Sequence, residues 1–133
     1  MNMNEPMNQT LRMIAPDTFR AATTVVPNGA KLNGTMSAQD DLALRIDGEF
    51  KGKLDIHKAG AIHIGPNAHV ECETMVADHI YVQGRVRGNI HARKGLELSA
   101  EARVSGEVRY DGELDVHPGA RISGSVTCSR AED

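Results

Sequence analysis

Apolar residues along this chain fall in short alternating runs that return at a nearly fixed interval. Leu42-Ala43-Leu44-Arg45-Ile46, Ile62-His63-Ile64, Ile80-Tyr81-Val82, Leu96-Glu97-Leu98 and Leu114-Asp115-Val116 each put apolar side chains on one face. Alternation with period 2 over so few residues predicts half-buried β-strands. A second series is centred on a small residue: Gly34, Gly52, Cys72, Gly88, Gly106 and Gly124, spaced by 18, 20, 16, 18 and 18. Two places to either side stand Leu32/Met36, Phe50/Leu54, Val70/Thr74, Val86/Ile90, Val104/Val108 and Ile122/Val126, with Thr74 the one polar exception. A period that survives six cycles specifies one supersecondary unit stacked on copies of itself.

Turn chemistry separates the runs: Asp47-Gly48, Ala59-Gly60, Gly65-Pro66-Asn67, Lys94-Gly95, Asp111-Gly112 and Pro118-Gly119. No helical segment of convincing length lies between strands, which excludes βαβ units. About 18 residues per cycle and three short strands in each predict an all-β fold, a parallel β-solenoid of six coils with a triangular section. At ~4.8 Å per coil it forms a rod roughly 30 Å tall. A small residue at the inward-facing mark leaves room between its apolar neighbours, as a slim core requires. The pattern assigns 28–128 to the solenoid. Residues 1–27 hold four of the six Met and three of the five Pro without a sustained period, and read as a mobile tail. Residues 129–133 read as a short polar end.

Composition sharpens this picture. Aromatic residues make up only 3% of the chain, with no Trp, as suits a narrow core of stacked Val, Ile, Leu and Gly. A net charge of −3 gives no sign of a nucleic-acid partner. Cys72 and Cys128 sit three coils apart, roughly 14 Å along the rod, beyond disulfide reach, which suits a reducing compartment. No apolar run approaches the ~20 residues of a membrane-spanning helix, and no basic-then-apolar leader opens the chain. A soluble cytoplasmic protein is expected.

Stacking the cycles by offset from the mark generates columns of outward residues. Three places before it come Lys31, Glu49, His69, Arg85, Arg103 and Arg121. Arg85, Arg103 and Arg121 form a basic stripe for an acidic partner or an anionic membrane surface; the alternative is an ordinary solvated face neutralised diagonally by Glu71, Glu73, Glu101 and Glu107. Nine places before the mark come Ala43, His63, His79, Glu97 and Asp115, which would set His63 beside His79 as a metal or pH site. His57, His63 and His69 recur every six residues but point in three directions on a three-sided coil, and His91 and His117 have no evident partner. No catalytic constellation, phosphate-cradling loop or CxxC is present, so no catalytic residue, cofactor or metal ligand is assigned.

Ile64-Gly65-Pro66-Asn67-Ala68-His69-Val70 matches one turn of the hexapeptide repeat of left-handed β-helix acyltransferases, which would make this a trimeric enzyme. The six-residue rule fails at Arg45-Ile46-Asp47-Gly48 and across Val82-Gln83-Gly84. The run Leu44-Arg45-Ile46-Asp47-Gly48-Glu49-Phe50-Lys51-Gly52-Lys53-Leu54 resembles the signature of the bactofilins, bacterial polymer-forming cytoskeletal proteins. Ile80-Tyr81-Val82-Gln83-Gly84-Arg85-Val86-Arg87-Gly88-Asn89-Ile90 repeats it, and Val104-Ser105-Gly106-Glu107-Val108 continues it. Cys72 and Thr74 depart from the small and apolar residues expected, and Val126 stands where an aromatic is expected. The resemblance implies a right-handed β-helix that assembles without nucleotide into non-polar filaments. It further implies a scaffold for cell-shape or cell-wall machinery, often at the inner face of the cytoplasmic membrane.

Physical reasoning reaches the assembly expectation independently. The end coils of a solenoid expose unpaired backbone and the end of the core, which proteins ordinarily cap or charge. No capping helix is visible at either end. Leu32, Met36, Leu42 and Leu44 at one end, and Leu114, Val116, Ile122 and Val126 at the other, are therefore the expected contacts of a homopolymer. In the tail, Leu11, Met13, Ile14, Phe19, Val25 and Val26, with Arg12 and Arg20, form an expected membrane contact, multiplied by avidity along a polymer; the alternative is a solubilising or spacing tail.

Overall fold

The computed structural model describes residues 24–38, 42–56 and 60–128. All regular structure among them is strand: β1 (Thr24–Val26), β2 (Lys31–Ala38), β3 (Ala43–Ile46), β4 (Glu49–Ile56), β5 (Ala61–Ile64), β6 (His69–Val82), β7 (Arg85–Leu98), β8 (Arg103–Tyr110), β9 (Glu113–Val116) and β10 (Arg121–Cys128). Every pairing is parallel and joins a strand to its equivalent in an adjacent coil. One ladder runs β2-β4-β6-β7-β8-β10 and carries the glycine mark; the other runs β1-β3-β5-β6-β7-β9. The chain is thus a β-solenoid of about six coils. β6 and β7 belong to both ladders, because in these coils the corner between the two sides is tight enough for pairing to continue across it. For that reason Lys94-Gly95, expected as a turn, lies inside β7, with Gly95 paired to His79 and Glu113.

The core is the set of inward residues of both ladders. Leu54, Ile56, Met75, Ala77, Ile90 and Ala92 stack from one side, and Ile46, Ile62, Ile64, Ile80, Val82, Leu96 and Leu98 from the other, all essentially without solvent contact. β-Branched and Leu side chains fit here because each needs to touch only its ladder neighbours above and below and the facing side.

The mark residues pair in one column: Gly34 with Gly52, Gly52 with Cys72, Cys72 with Gly88, and Gly106 with Gly124. Their smallness has a different cause from room in the core. Gly52, Gly88, Gly106 and Gly124 have φ between 136° and 145°, a conformation closed to most side chains. A Cβ on Gly106 would stand 2.0 Å from the carbonyl oxygen of Gly88 in the coil before it, and one on Gly52 only 1.7 Å from that of Gly34. Backbone, rather than side chain, excludes anything larger. Cys72 is accommodated by an irregularity: after it the register slips by one residue, so that Leu54 pairs with Met75 rather than Thr74. Thr74 thereby leaves the inward column, which accounts for its polarity.

Turns explain the uneven spacing. Four-residue turns, each closed by an alanine amide donating to the carbonyl three residues back, occur at Pro27–Ala30, Gly65–Ala68, Ser99–Ala102 and His117–Ala120. At the same corner, residues 47–48 and 83–84 cross with only two residues between strands. Gly29 and Gly119 have φ of 93° and 103° at the third turn position, as a type II turn demands. The first of these turns follows β1, so the ladder already includes Thr24, ahead of the Asn28 boundary expected from the pattern, and Val26 joins the core. Residues 1–23 and 129–133 lie outside the described residues.

Gly106→Ala and Gly34→Ala separate the two demands on the mark. Both variants bear the backbone conformation, of order 1–3 kcal/mol, but a Cβ on Gly34 meets nothing within 4 Å. Gly106→Ala is expected to lower the urea midpoint clearly more than Gly34→Ala; equal losses would show that conformation alone fixes the column.

Candidate assembly and binding surfaces

The end coils of the described solenoid each lack a further strand partner among the described residues. Among the described residues β2 pairs only with β4 and β1 only with β3 at one end; β10 pairs only with β8 and β9 only with β7 at the other. The inward columns run out into solvent. Leu32 is 39% exposed whereas its ladder partner Phe50 is 2%; Val126 is 44% exposed whereas Val108 is 1%. Val116 is also well exposed, and Met36, Leu42, Leu114 and Ile122 are partly buried against the core. Leu44 does not belong with them. Strand β1 covers it, with Thr24 opposite, leaving it 1% exposed. The sequence signal was available in the β-branched run Thr24-Val25-Val26 and the Pro-Asn-Gly-Ala turn after it, akin to His117-Pro118-Gly119-Ala120. The expected membrane contacts Leu11, Arg12, Met13, Ile14, Phe19 and Arg20, and also His57, lie outside the described residues.

The column three places before the mark is in register throughout: Lys31, Glu49, His69, Arg85, Arg103 and Arg121 are successive ladder partners. Two places on, Asn33, Lys51, Glu71, Arg87, Ser105 and Ser123 form a parallel column. Between them runs an open trough along the rod. Its C-terminal half, about 830 Å³, is lined by His69, Arg85, Arg103 and Arg121 on one wall and Glu71, Arg87, Ser105 and Ser123 on the other. The N-terminal half neutralises itself through Lys31–Glu49 at 3.7 Å and Lys51–Glu71 at 3.7 Å. Glu71 also reaches Arg87 at 3.9 Å. Among the described residues Arg85 and Arg121 form no ion pair, and Arg103 donates instead to the backbone carbonyls of Ala102 (2.9 Å), Ala100 and Gly119. Of the four glutamates expected to neutralise the stripe, Glu71 alone ion-pairs among the described residues, and it does so outside the arginine column.

The short ladder carries a polar column that the sequence placed incorrectly. His63 pairs with Tyr81, and His79 with Ala61 and Gly95, so the two histidines are not ladder neighbours. The corner between this ladder and the mark has four residues at Gly65–Ala68 but two at 83–84, so one offset cannot serve both. The true column is Arg45, His63, Tyr81, Glu97 and Asp115. Although outward-facing, His63, Tyr81 and Glu97 are buried. His63 donates from Nε2 to Gln83 Oε1 at 2.7 Å and stacks on Tyr81 with ring centres 5.2 Å apart. His91 and His117 do find partners: His91 Nε2 lies 2.9 Å from Asp111 Oδ2, and His117 Nε2 lies 2.6 Å from Glu97 Oε2 and 3.7 Å from Asp115 Oδ2. Glu97, Asp115 and His117 offer donor atoms within 4.8 Å of one another, a set able to take a divalent cation. Arg93 ties Asp78 to the corner, with Nε 2.7 Å from Asp78 Oδ1 and a second bond to the Ile56 carbonyl at 2.5 Å. Neither cysteine is in a disulfide, and burial pushes the Cys72 thiol up to about 11.

Among the described residues the fold is a single-layer parallel solenoid whose two end coils expose part of their apolar columns. The Bactofilin family profile, described as polymer-forming cytoskeletal, matches residues 24–127, and the chain belongs to that family. It is 29% identical over 111 residues to Bactofilin BacO of Myxococcus xanthus (strain DK1622), an alignment covering 84% of this chain and 83% of that protein. No solved structure matches it. Family membership makes it a structural cytoskeletal protein and not an enzyme, which overturns the hexapeptide-enzyme alternative. Among the described residues no helix is long and apolar enough to cross a membrane.

Two histidines held partly or wholly out of water, His63 and His79, make stability depend on pH. Burial lowers the His63 pKa, against the Gln83 hydrogen bond; Arg45 lowers it further and Asp47 opposes. Burial likewise lowers that of His79, with Asp78 opposing and Lys94 adding to the effect. The unfolded chain therefore binds more protons than the folded one. This stability is present above the unfolded value of 6.5 and is lost as pH falls through it toward the folded values. The urea midpoint is expected to drop between about pH 7.5 and 5.5, and to drop less in His63→Leu; identical slopes would remove His63 as a source.

Proposed function

We propose that this bactofilin is a scaffold subunit that assembles end to end, without nucleotide, into non-polar filaments. These filaments organise cell-shape or cell-wall machinery at the inner face of the cytoplasmic membrane, with the segment ahead of β1, residues 1–23, as the membrane contact. The observation that carries the reading is the exposure of Leu32 and Val126 in columns whose inner members are buried. Contact between ends removes that apolar surface from water and pairs the free edges of β2 and β10, with Met36, Leu42, Leu114, Val116 and Ile122 completing the two patches.

Charge favours contact between like ends. Continuing the ladder head to tail would set Arg121 directly beside Lys31. A two-fold contact of β10 with its copy runs the strands antiparallel and moves each Arg121 toward the far end of its partner. Alternating contacts of the two ends, each self-complementary, generate a filament without polarity.

Purified full-length chain is expected to form long filaments by electron microscopy without ATP or GTP; monomers or closed trimers at every concentration would reject the proposal. Val126→Asp places a carboxylate on an exposed position of the end patch, leaving the fold intact by circular dichroism while shortening or abolishing filaments. Unchanged filaments would move the joint away from β10. Removing residues 1–23, which precede β1, is expected to release filaments from anionic vesicles in a sedimentation assay; full retention would exclude the tail as anchor.

A further inference from the structure

We infer that the basic half of the lateral trough is a docking site for an acidic, extended polypeptide segment of a partner protein. The trough is one continuous architectural feature with two different electrostatic halves. Over the first three coils cations and anions alternate along and across it, and Glu49 and Glu71 engage Lys31, Lys51 and Arg87. Over the last three, Arg85, Arg103 and Arg121 are direct ladder partners on one wall, and the facing positions after Arg87 are Ser105 and Ser123. The chain as a whole is acidic, with net charge −3. A run of three stacked guanidinium groups therefore does not follow from composition, and it opposes folding through like-charge repulsion.

The arginines are held ready for an anion. Arg103 spends Nη1 on the carbonyls of Ala102, Ala100 and Gly119, which fixes its side chain on the wall. Arg85 and Arg121, on either side of it, engage no carboxylate among the described residues. Guanidinium forks match carboxylates in two-point hydrogen bonding.

Shape selects the form of the ligand. The floor is strand backbone at Val70, Val86, Val104 and Ile122, and the walls are the two side-chain columns. The walls stand two residues apart on each strand, roughly 7 Å, a spacing that seats one extended chain along the rod. The distance from His69 to Arg121 is three coil steps, roughly 14 Å, which an extended peptide covers in about four residues. The Ser105 and Ser123 hydroxyls face such a peptide from the wall opposite the arginines and can bond its amides.

The test measures fluorescence anisotropy of fluorescein-labelled octaglutamate on the full chain at low and physiological salt. Wild type is expected to bind saturably and more weakly as salt rises. Arg85→Ser/Arg121→Ser should weaken binding at least tenfold, and Arg85→Ser, in the middle of the rod, about threefold. Arg85→Lys/Arg121→Lys, keeping charge without the fork, should fall between. Equal affinity in wild type and the double serine variant, or no saturable binding at low salt, would overturn the assignment. So would sedimentation of phosphatidylglycerol vesicles that depends on Arg85 and Arg121 while the peptide does not bind. Filaments are imaged in the same samples. Binding weakened by Arg85→Ser with filaments intact supports a site in the trough independent of assembly, and binding weakened only where filaments are lost overturns it.

Discussion

The carbonyl oxygen of one coil and the α-carbon of the next at the glycine mark approach so closely that a methyl group would not fit between them. Most of the structure depends on that contact. It holds adjacent coils at strand spacing through the middle of each eight-residue strand and keeps the inward residues that flank the mark in vertical register wherever the mark is glycine. Where Cys72 replaces glycine, the chain spends an extra residue instead, and the cost of that solution is visible as a slip that propagates to the next corner. The core follows from the same constraint. With coils held at strand spacing, each inward side chain has a fixed neighbour above and below, so Val, Ile and Leu suffice and large aromatics have no place.

How far the sequence reveals this depends on which ladder is considered. The long ladder carries its own reference in every cycle, so its outward column from Lys31 to Arg121 and its inward pairs from Leu32/Met36 to Ile122/Val126 were legible, except that Met75 takes the inward place assigned to Thr74. The short ladder has no such reference. It is separated from the mark by corners of two or four residues. A constant offset therefore paired His63 with His79, when their neighbours are Tyr81 and Gly95. The pairings of His91 with Asp111 and of His117 with Glu97 escaped for a related reason. Each spans 20 residues and joins columns that are diagonal rather than level. Leu44 was misplaced because β1 is only three residues long, too brief for periodicity to announce it, though Pro27 and Gly29 mark the turn that follows.

The outer surface is far from uniform around the rod. On the short-ladder side, histidine, tyrosine and glutamate lie under cover in a hydrogen-bonded column, so outward orientation there does not mean solvation. On the long-ladder side, the trough changes from internally balanced charge to unbalanced charge halfway along. The ends, in contrast, are nearly free of charge at the apolar columns. Three kinds of surface thus occur on one simple repeat, and each follows from substitutions at outward or terminal positions that leave the inward pattern untouched. This is the freedom a solenoid grants: the core fixes only every second residue.

Ladder hydrogen bonds in this fold point along the rod rather than across it. A pull on the two ends therefore loads all the bonds between adjacent coils together, and the coils act as links in series. Within one molecule each link is reinforced by the corner where the chain climbs covalently from coil to coil. At a surface where β10 meets another molecule no such tie exists. A fibre made from this unit would yield at its joints and leave the subunits folded, so breakage would return intact pieces with the same two apolar ends they began with.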